Sequence, residues 1–188
     1  MKRVLSHMLV ATAVLLVSAL PASATLVANG GFENGDFTGW ALSGNPDFTG
    51  ITAAGADVHS GTYAAFFGPE DSDGFISQNL VTTPGQSYTV SFWLKNGASG
   101  TNDFRLYWGG SEIYNFFNAS AFGYTQYSFV EQATTSSTEL SMGFRNVPNF
   151  FFLDDVDVSP VPIPGAVWLL GSGIVGLIGL KRRRGMKV

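Results

Sequence analysis

One carboxylate in this sequence stands where a charge is costly. Asp154 lies in the stretch FFLDDVDV, and strict alternation places it on the same strand face as Phe152 and Val156. An unpaired carboxylate among apolar side chains needs a compensating partner. Between residues 25 and 158 the chain has only three cationic side chains: Lys95, Arg105 and Arg145. The predicted partner is therefore Ca²⁺, which binds carboxylate and carbonyl oxygens; the alternatives are that Asp154 caps a loop or that Asp155 is the ligand.

Aromatic side chains indicate a second chemistry, because sugar rings stack on the faces of Trp and Tyr. Trp93 lies on the less apolar face of the alternating stretch QSYTVSFWLKN. Tyr107 and Trp108 immediately precede a Gly-Gly turn, which would place them at the lip of a loop. These three residues are the candidate glycan contacts, and a shared face with Arg105 or Asn102 would complete a binding site. Packing between two sheets is the alternative for each aromatic residue.

The sequence gives little indication of a catalytic site. His59 is the only histidine after residue 24, and a nucleophilic serine would need it as a base, with a carboxylate behind it. Its surroundings, AGADVHSG, contain no nucleophile elbow. A glycosidase needs two carboxylates about 5–10 Å apart across a cleft; the chain has enough carboxylates, but no paired arrangement such as E-x-D-x-x-E on a strand. The chain is therefore predicted not to be an enzyme.

Most of the chain alternates with the period of a β-strand. The clearest stretches are QSYTVSFWLKN, DGFISQNLV, TQYSFVEQAT, TELSMGF and FFLDDVDV. Turn sequences such as Asn34-Gly35 and Thr83-Pro84-Gly85 separate them. About eight to ten short strands at intervals of about 8–12 residues predict an all-β antiparallel sandwich of the jelly-roll or galactose-binding-like type. Residues 25–158 are long enough for one such domain with its own core.

The first 24 residues are typical of a secretory signal peptide. Lys2 and Arg3 precede an apolar run from Met8 to Leu20, and Ala22-Ser23-Ala24 forms a small-residue cleavage site. A retained anchor is the alternative, but the apolar run is shorter than the ~20 residues that a membrane span needs. The mature chain is therefore expected to begin at Thr25 and to fold outside the cytosol.

A second apolar run follows the predicted domain. Ile163–Leu180 contains 18 uncharged residues, at the short end of what crosses a bilayer. Four cations, Lys181–Arg184, follow at once and belong on the cytoplasmic side. A buried core helix is the alternative, but the glycines of this run disfavour a helix in water. We expect a proline-rich linker at residues 159–164 and a single C-terminal transmembrane helix with a basic tail at 165–188.

The charge distribution excludes several functions. All 14 acidic residues lie between Glu33 and Asp157, where there are only three cations, so this part carries a net charge of −11. Such a surface repels phosphate backbones, and a nucleic-acid partner is therefore not expected. The chain has no cysteine, which excludes a disulfide framework and thiolate metal sites.

The tail VPIPGAVWLLGSGIVGLIGLKRRR resembles a PEP-CTERM sorting signal, with a Val-Pro-x-Pro motif, a short glycine-bearing span and an arginine cluster in that order. The corresponding residues are Val161, Pro162, Ile163, Pro164, Arg182, Arg183 and Arg184. Ile163 stands where the family usually has Glu. The resemblance implies a Gram-negative bacterium with an exopolysaccharide or biofilm system. It also implies an exosortase-type processing enzyme that recognises the motif at the inner membrane and frees the domain to the cell surface or matrix.

Residues 29–158 resemble, more loosely, the jelly-roll carbohydrate-binding modules of families four, nine and twenty-two. The matching stretches are NGGFENGDFTGW, HSGTYAA, PGQSYTVSFWLKN and FFLDDVDV. In such modules the first and last strands lie side by side and share a structural calcium ion. The resemblance implies Glu33 and Asp154 as side-chain ligands, with carbonyls of residues 59–61 as further ligands; the alternative for Glu33 is a solvated turn residue. The identity of the sugar does not carry over.

Three function classes follow from these observations. The first is an exported, non-catalytic surface or matrix protein that binds an extracellular polysaccharide. The second is a structural or adhesive protein without a specific sugar site. The third, and least favoured, is a glycoside hydrolase.

Overall fold

The computed structural model describes residues 24–162, which form two five-stranded antiparallel β-sheets. This confirms the predicted all-β sandwich. The strands are β1 (Ala41–Gly44), β2 (Thr49–Thr52), β3 (Ala64–Phe67), β4 (Gly74–Val81), β5 (Ser87–Asn96), β6 (Thr101–Trp108), β7 (Ser111–Phe117), β8 (Phe122–Gln132), β9 (Ser137–Val147) and β10 (Phe151–Pro160). A 3-10 turn at Gly55–Asp57 is the one helical element among these residues.

Chain crossovers between the two sheets set the strand order. Sheet A has the order β1-β4-β9-β6-β7, and sheet B has the order β2-β3-β10-β5-β8. The hairpin between β6 and β7 turns through Gly109 and Gly110, which have φ angles of 58° and 83°. Two consecutive positive φ angles are what a two-residue hairpin turn needs, and glycine adopts them without strain.

The core lies between the inner faces of the two sheets, and it follows the alternation of the strands. On β5, Tyr88, Val90, Phe92 and Leu94 are buried, as the period of two predicts. Aromatic rings fill much of this layer: Phe67 stacks on Phe144 with ring centroids 3.9 Å apart. Each fully buried apolar side chain of this kind contributes about 1.5–3 kcal/mol to folding.

Strand β10 departs from the alternation predicted for it. Leu153 pairs with Leu94 and faces the core, whereas Asp154 pairs with Trp93 and faces away from it. A bulge between Asp154 and Asp157 then adds one residue to the strand and changes which side chains face inward. The prediction that Asp154 shares a core-facing side with Val156 is therefore wrong. Asp154 is nevertheless 0% exposed, because the segment of residues 53–63 lies over it.

The irregular N-terminal segment, residues 24–40, runs beside β10. The Leu26 amide donates to the Val158 carbonyl over 2.8 Å, and the Val156 amide donates to the Gly30 carbonyl over 2.9 Å. Trp40 is buried and stacks on Phe32 with ring centroids 5.9 Å apart. The first and last segments of the domain are thus neighbours, and Glu33 is brought towards the bulge of β10.

The C-terminal end of the described chain is still held by the sandwich. Strand β10 runs to Pro160, two residues beyond the predicted domain boundary at residue 158. The Val161 amide also donates to the Ser87 carbonyl over 2.8 Å. The predicted signal peptide up to residue 23, the sorting-motif residues Ile163 and Pro164, the arginines at 182–184 and the predicted transmembrane helix lie outside the described residues. Within residues 24–162, none of the helical structure has the length and hydropathy of a membrane span.

Candidate functional site

The outer face of sheet A carries a band of polar and aromatic side chains that crosses its strands. Strand register places them in adjacent rows, since residues paired across antiparallel strands point to the same side. We call this surface the A-face, and its main residues are Asp73, Phe75, Asp103, Arg105, Tyr107, Glu112, Phe117 and Arg145. Strand β6 supplies Asp103, Arg105 and Tyr107 at intervals of two residues.

A buried carboxylate organises the charges of the A-face. Asp103 is only 1% exposed. It accepts hydrogen bonds from Arg105 Nε at 3.2 Å and Arg105 Nη2 at 2.8 Å, and from Arg145 Nη2 at 3.4 Å. Asp73 joins the network, with its carboxylate 3.6 Å from Arg105 Nε and 3.5 Å from Arg145 Nε. The two guanidinium groups are thus held in fixed orientations, with Asp103 between them.

The arginines of the A-face do not form a free positive patch. Hydrogen bonding to Asp103 raises the pKa of the Arg105 guanidinium, which is therefore always charged. Glu112 adds a third acid, with its carboxylate 3.6 Å from Arg105 Nη1. A hydrogen bond from Asn115 lowers the pKa of Glu112 and keeps it ionised. Two positive and three negative groups leave the A-face with a slightly negative balance and many oriented donors and acceptors.

Aromatic rings lie beside this network. The Phe75 ring rests on Gly143 of the neighbouring strand, where a Cβ would lie only 2.6 Å from Phe75 Cε1. The ring centroids of Phe75 and Tyr107 are 6.3 Å apart, and the Tyr107 hydroxyl donates to Glu112 Oε2 over 3.0 Å. Burial raises the pKa of Tyr107, so its phenol stays protonated at neutral pH. Phe117 is 51% exposed at the edge of the A-face. Rings flanked by oriented polar groups are typical of a sugar-binding surface.

The outer face of sheet B, which we call the B-face, is arranged differently because the segment of residues 53–63 covers part of it. His59 of this segment stacks on Trp93, with ring centroids 3.9 Å apart and an interplanar angle of 18°. Its Nδ1 lies 2.6 Å from Asp155 Oδ2. The Tyr124 hydroxyl donates to the Asp57 carbonyl over 2.8 Å. One face of the Trp93 indole is therefore occupied by His59, and a sugar platform at Trp93 stays a prediction.

Glu33 and Asp154, the residues predicted to bind calcium, both hold the segment over the B-face. Asp154 Oδ2 accepts the amides of His59 at 2.9 Å and Ser60 at 3.1 Å. Glu33 Oε1 accepts the amides of Thr62 at 2.9 Å and Tyr63 at 3.1 Å. Burial raises the pKa of Asp154, although the amide hydrogen bonds act in the opposite direction. Both carboxylates thus act as loop caps, which was the alternative for Asp154.

A calcium ion at Glu33 and Asp154 would need several oxygen ligands close together. Within residues 24–162, no group of three or more His, Cys, Asp or Glu side chains is arranged to hold a metal. At Gly31 a Cβ would lie 3.6 Å from Asp155 Oδ1 and 3.8 Å from Asp154 Oδ1, whereas the Glu33 carboxylate is turned towards residues 61–63 and accepts the amides of Thr62 and Tyr63. A carboxylate has about four acceptor positions, so the amide hydrogen bonds leave oxygen lone pairs. Carboxylate oxygens suit a hard cation, but the described geometry brings only those of Asp154 and Asp155 together, and calcium at Glu33 and Asp154 stays a prediction.

The two aromatic residues expected at one loop lip point in opposite directions. Tyr107 faces outward on the A-face, as its neighbour Arg105 does two residues earlier. Trp108 faces inward, is 5% exposed, and donates its indole N–H to the Gln132 carbonyl over 3.1 Å. Asn102 is also buried between the sheets. Of the predicted glycan contacts, only Tyr107 therefore lies on the A-face.

Sequence reasoning missed most of the A-face. Asp103 could have been found, because TNDFRLYW places it on the same strand face as Arg105 and Tyr107. Phe75 and Arg145 could not, since their position depends on which strands flank β6.

The described residues bring no serine to His59 as a nucleophile. The Ser60 hydroxyl donates to Asp155 Oδ1 over 2.8 Å, and His59 Nδ1 faces the other oxygen of the same carboxylate. A serine nucleophile would instead need a hydrogen bond to the histidine itself. This arrangement is a capped loop, and it gives no support to hydrolysis at His59.

Comparisons with known proteins agree with a sugar-binding fold. Residues 24–144 match the family model CBM_4_9, described as a carbohydrate binding domain. Among solved structures, TmCBM61 in complex with β-1,4-galactotriose is 20% identical, covers 74% of this chain and 100% of its own, and gives a TM-score of 0.61. The CBM22-1 xylan-binding domain of Paenibacillus barcinonensis Xyn10C is 16% identical, with coverages of 77% and 99% and a TM-score of 0.54.

A third similar structure is an adhesin domain rather than a carbohydrate-binding module. The K3 cleaved adhesin domain of Lys-gingipain from Porphyromonas gingivalis is 16% identical, covers 71% of this chain and 98% of its own, and gives a TM-score of 0.52. At these identities the solved structures share the fold alone with this chain. No curated protein is significantly similar to it in sequence.

Proposed function

Because the match over residues 24–144 makes this chain a member of the carbohydrate binding domain family CBM_4_9, we propose that it binds a glycan on the A-face without cleaving it. The observation that carries this proposal is the combination of Tyr107 and Phe75 with the guanidinium groups held by Asp103. The rings offer flat apolar faces to sugar C–H groups, and the paired charges offer oriented hydrogen-bond partners to hydroxyl groups.

The preferred ligand of the A-face is a neutral polysaccharide. Its two arginines are already engaged by Asp73, Asp103 and Glu112, so they offer hydrogen bonds without an excess of positive charge. Residues 24–162 as a whole are strongly acidic, which repels uronic acid or sulfated chains at ordinary ionic strength. A neutral chain avoids this repulsion and still meets donors and acceptors across several strands.

The test is affinity electrophoresis of the purified protein in gels that contain xylan, β-glucan, galactan or alginate. We expect retardation by at least one neutral polysaccharide and none by alginate. Tyr107→Ala should reduce the retardation, with affinity about tenfold lower, while the circular dichroism spectrum is unchanged. Retardation that survives the double substitution of Phe75 and Tyr107 by Ala would remove the A-face as the site. A silent screen would favour a structural or adhesive role.

We also propose that the protein is exported and acts at the cell surface or in a biofilm matrix. The support is the PEP-CTERM-like tail with Val161–Pro164 and the arginine cluster, together with a polysaccharide-binding family for the domain. The tail would hold the protein at the inner membrane until an exosortase-type enzyme processes it. A secreted product whose mass corresponds to a C-terminus near Pro164 supports this route, whereas an intact C-terminus contradicts it.

We propose, finally, that Ca²⁺ stabilises the domain at Glu33 and Asp154. The support is the approach of the Asp154 and Asp155 carboxylates to each other at Gly31, with Glu33 held against the neighbouring residues 62 and 63. When bound, the ion would neutralise this negative charge with oxygen ligands. Its role is structural, since these residues lie beneath the segment over the B-face and take no part in the A-face.

A further inference from the structure

The outermost strand of sheet B has an open edge. Strand β8 is 11 residues long, and among residues 24–162 it pairs with β5 on one side only. The other three edge strands of the described sheets are protected: β1 and β2 have 4 residues each, and β7 carries Glu112 and a break in its register. In β8, residues 122–130 contain neither a charge nor a proline. It therefore lacks the features that normally stop an edge strand from pairing with another chain.

The hydrogen-bond alternation of β8 shows which of its backbone groups face the open edge. The Ala133 amide donates to the Gln86 carbonyl over 3.0 Å, and in an antiparallel pair such bonded positions alternate with positions whose amides and carbonyls point away. The pairing with β5 is regular over residues 125–132, so every second residue there directs its backbone groups to the open edge. These exposed residues are Gln126, Ser128, Val130 and Gln132. Only the Gln132 carbonyl has another partner, the Trp108 indole N–H.

A second copy of this strand matches the open edge in one antiparallel register. With the two-fold axis at Ser128, this residue pairs with its own copy, and Gln126 pairs with Val130 of the second copy on each side of the axis. The three pairs each exchange two backbone hydrogen bonds, about six in all. Tyr127, which is half-buried, then lies opposite Phe129 of the second copy, and cross-strand aromatic pairs of this kind stabilise sheets.

The charge of the domain favours self-association at this edge over other surfaces. Residues 33–157 carry a net charge of −11, so two copies repel each other in most orientations. The one acidic residue of β8, Glu131, would lie opposite Thr125 of the second copy. This register therefore brings no like charges directly together, which is the arrangement that destabilises paired strands.

We propose that two copies of this chain associate through β8 into a dimer with a continuous sheet B. The pairing uses the open edge of both copies, so association closes at two. The contact, about seven residues from each copy, is smaller than the ~1,200 Å² of a stable interface, and we expect a dissociation constant of about 100 µM. The dimer does not depend on the proposed glycan binding. Where the A-face binds a glycan, a dimer carries two such faces and bridges two chains.

The test is analytical ultracentrifugation of the purified protein without glycan, from well below to well above the expected dissociation constant. We expect the average mass to rise from that of a monomer to that of a dimer. Ser128→Lys and Ser128→Glu should each weaken association about fivefold, because like charges then meet directly across the two-fold axis. An equimolar mixture of these two variants should restore association, because opposite charges meet instead.

Matched variants separate this contact from other surfaces. Ser111→Lys makes the same substitution at an exposed position of β7, the edge strand of sheet A, and should leave association unchanged. Tyr107→Ala should also leave it unchanged, whereas Ser128→Lys should keep the polysaccharide retardation in dilute gels, so failure of the dimer and failure of the A-face are distinguishable. Melting temperatures show that the variants fold.

Three results would overturn the dimer. The first is a mass that stays monomeric well above the expected dissociation constant. The second is equal association of Ser128→Lys and Ser111→Lys. The third is a mixture of the two Ser128 variants that associates no better than either variant alone.

Discussion

The outer faces of the two sheets carry similar residues in different settings. On the A-face, Arg105 and Tyr107 are partly exposed and bond to side chains of the sheet itself and to Asp73 just before β4. On the B-face, Trp93 and Asp154 lie beneath the segment of residues 53–63 and bond to it. The alternation of side chains along the strands predicts outward-facing aromatic and charged residues on both faces. The difference shows that a covering segment, rather than the strand pattern, determines whether an aromatic residue is available to a ligand.

The cations of the described chain divide between the two faces in the same way. Arg105 and Arg145 converge on Asp103 and leave donors at the surface of the A-face. Lys95 bonds to the Ala56 carbonyl and to Asp57 on the segment that covers the B-face, each at 2.8 Å. The two arginines of the A-face therefore lie on an open surface. Lys95 of the B-face instead holds the segment of residues 53–63 in place.

The largest expected difference is between Tyr107→Ala and Trp93→Ala. Tyr107→Ala removes a ring from the open A-face, so polysaccharide affinity should fall about tenfold, since an aromatic contact is worth about 0.5–1.5 kcal/mol beyond its area. Trp93→Ala removes the partner of His59 and should lower the free energy of unfolding by about 3 kcal/mol. Affinity electrophoresis and thermal unfolding of both variants measure the two effects.

The opposite result would mean that the B-face, rather than the A-face, binds the polysaccharide. If Trp93→Ala lost polysaccharide binding and kept the melting temperature, the sequence-based prediction of a sugar platform at Trp93 would be restored. Val130→Ala, on the exposed edge of sheet B, is a control that should change neither quantity.

A smaller effect is expected from Asp103→Asn, which removes the shared partner of Arg105 and Arg145. The two guanidinium groups are about one third exposed, so solvent screening limits the loss, and we expect the free energy of unfolding to fall by about 2 kcal/mol. The A-face should also repel alginate less, because its two arginines are then balanced by two acids, Asp73 and Glu112, rather than three. Asp47→Asn, at an exposed loop position, is the control. Unchanged stability and selectivity would show that Asp103 does not organise the A-face.

Strand patterns predicted the parts of this structure that depend on local sequence. The alternation of β5 correctly placed Tyr88 and Phe92 in the core, and the same rule applied to β6 would have placed Asp103 beside Arg105 and Tyr107. The order of the strands within each sheet could not be predicted in this way. Phe75 and Arg145 join the A-face only because β9 lies between β4 and β6, and this order follows from crossovers that leave no short-range signal.

The errors at Asp154 and Trp93 have specific physical causes. A bulge breaks the period of two within β10, and nothing in FFLDDVDV marks where the extra residue falls. Trp93 was correctly placed on an outward face, but its contact with His59 joins residues 34 positions apart in sequence. Strand periodicity describes which side a residue faces, and it contains no information on which loop will cover that side.

Calcium provides a test that concerns the B-face alone. We expect Ca²⁺ to raise the melting temperature relative to the protein in chelator, because the ion would neutralise the carboxylates of Asp154 and Asp155 beside Gly31. Asp154→Asn should lower the free energy of unfolding by about 1–3 kcal/mol through lost hydrogen bonds to the amides of residues 59 and 60, and it should abolish the calcium response. Asp157→Asn, on the same strand, is the matched control. No response in the unsubstituted protein would mean that the amides of residues 59 and 60 compensate Asp154 without an ion.

The smallest expected effect is a pH dependence of the Asp154 contribution in calcium-free buffer. Burial raises the pKa of Asp154 in the folded protein above its ordinary value of 3.8. The folded state therefore holds the proton more tightly than the unfolded state, and the resulting stability is present below the ordinary pKa and is lost as pH rises through the raised pKa. The destabilisation caused by Asp154→Asn should accordingly be larger near pH 4 than near pH 7, as measured by urea unfolding of both proteins. A difference that grows with pH instead would mean that the amides of the covering segment stabilise the charged carboxylate more than burial penalises it, and that the B-face is built around an anion.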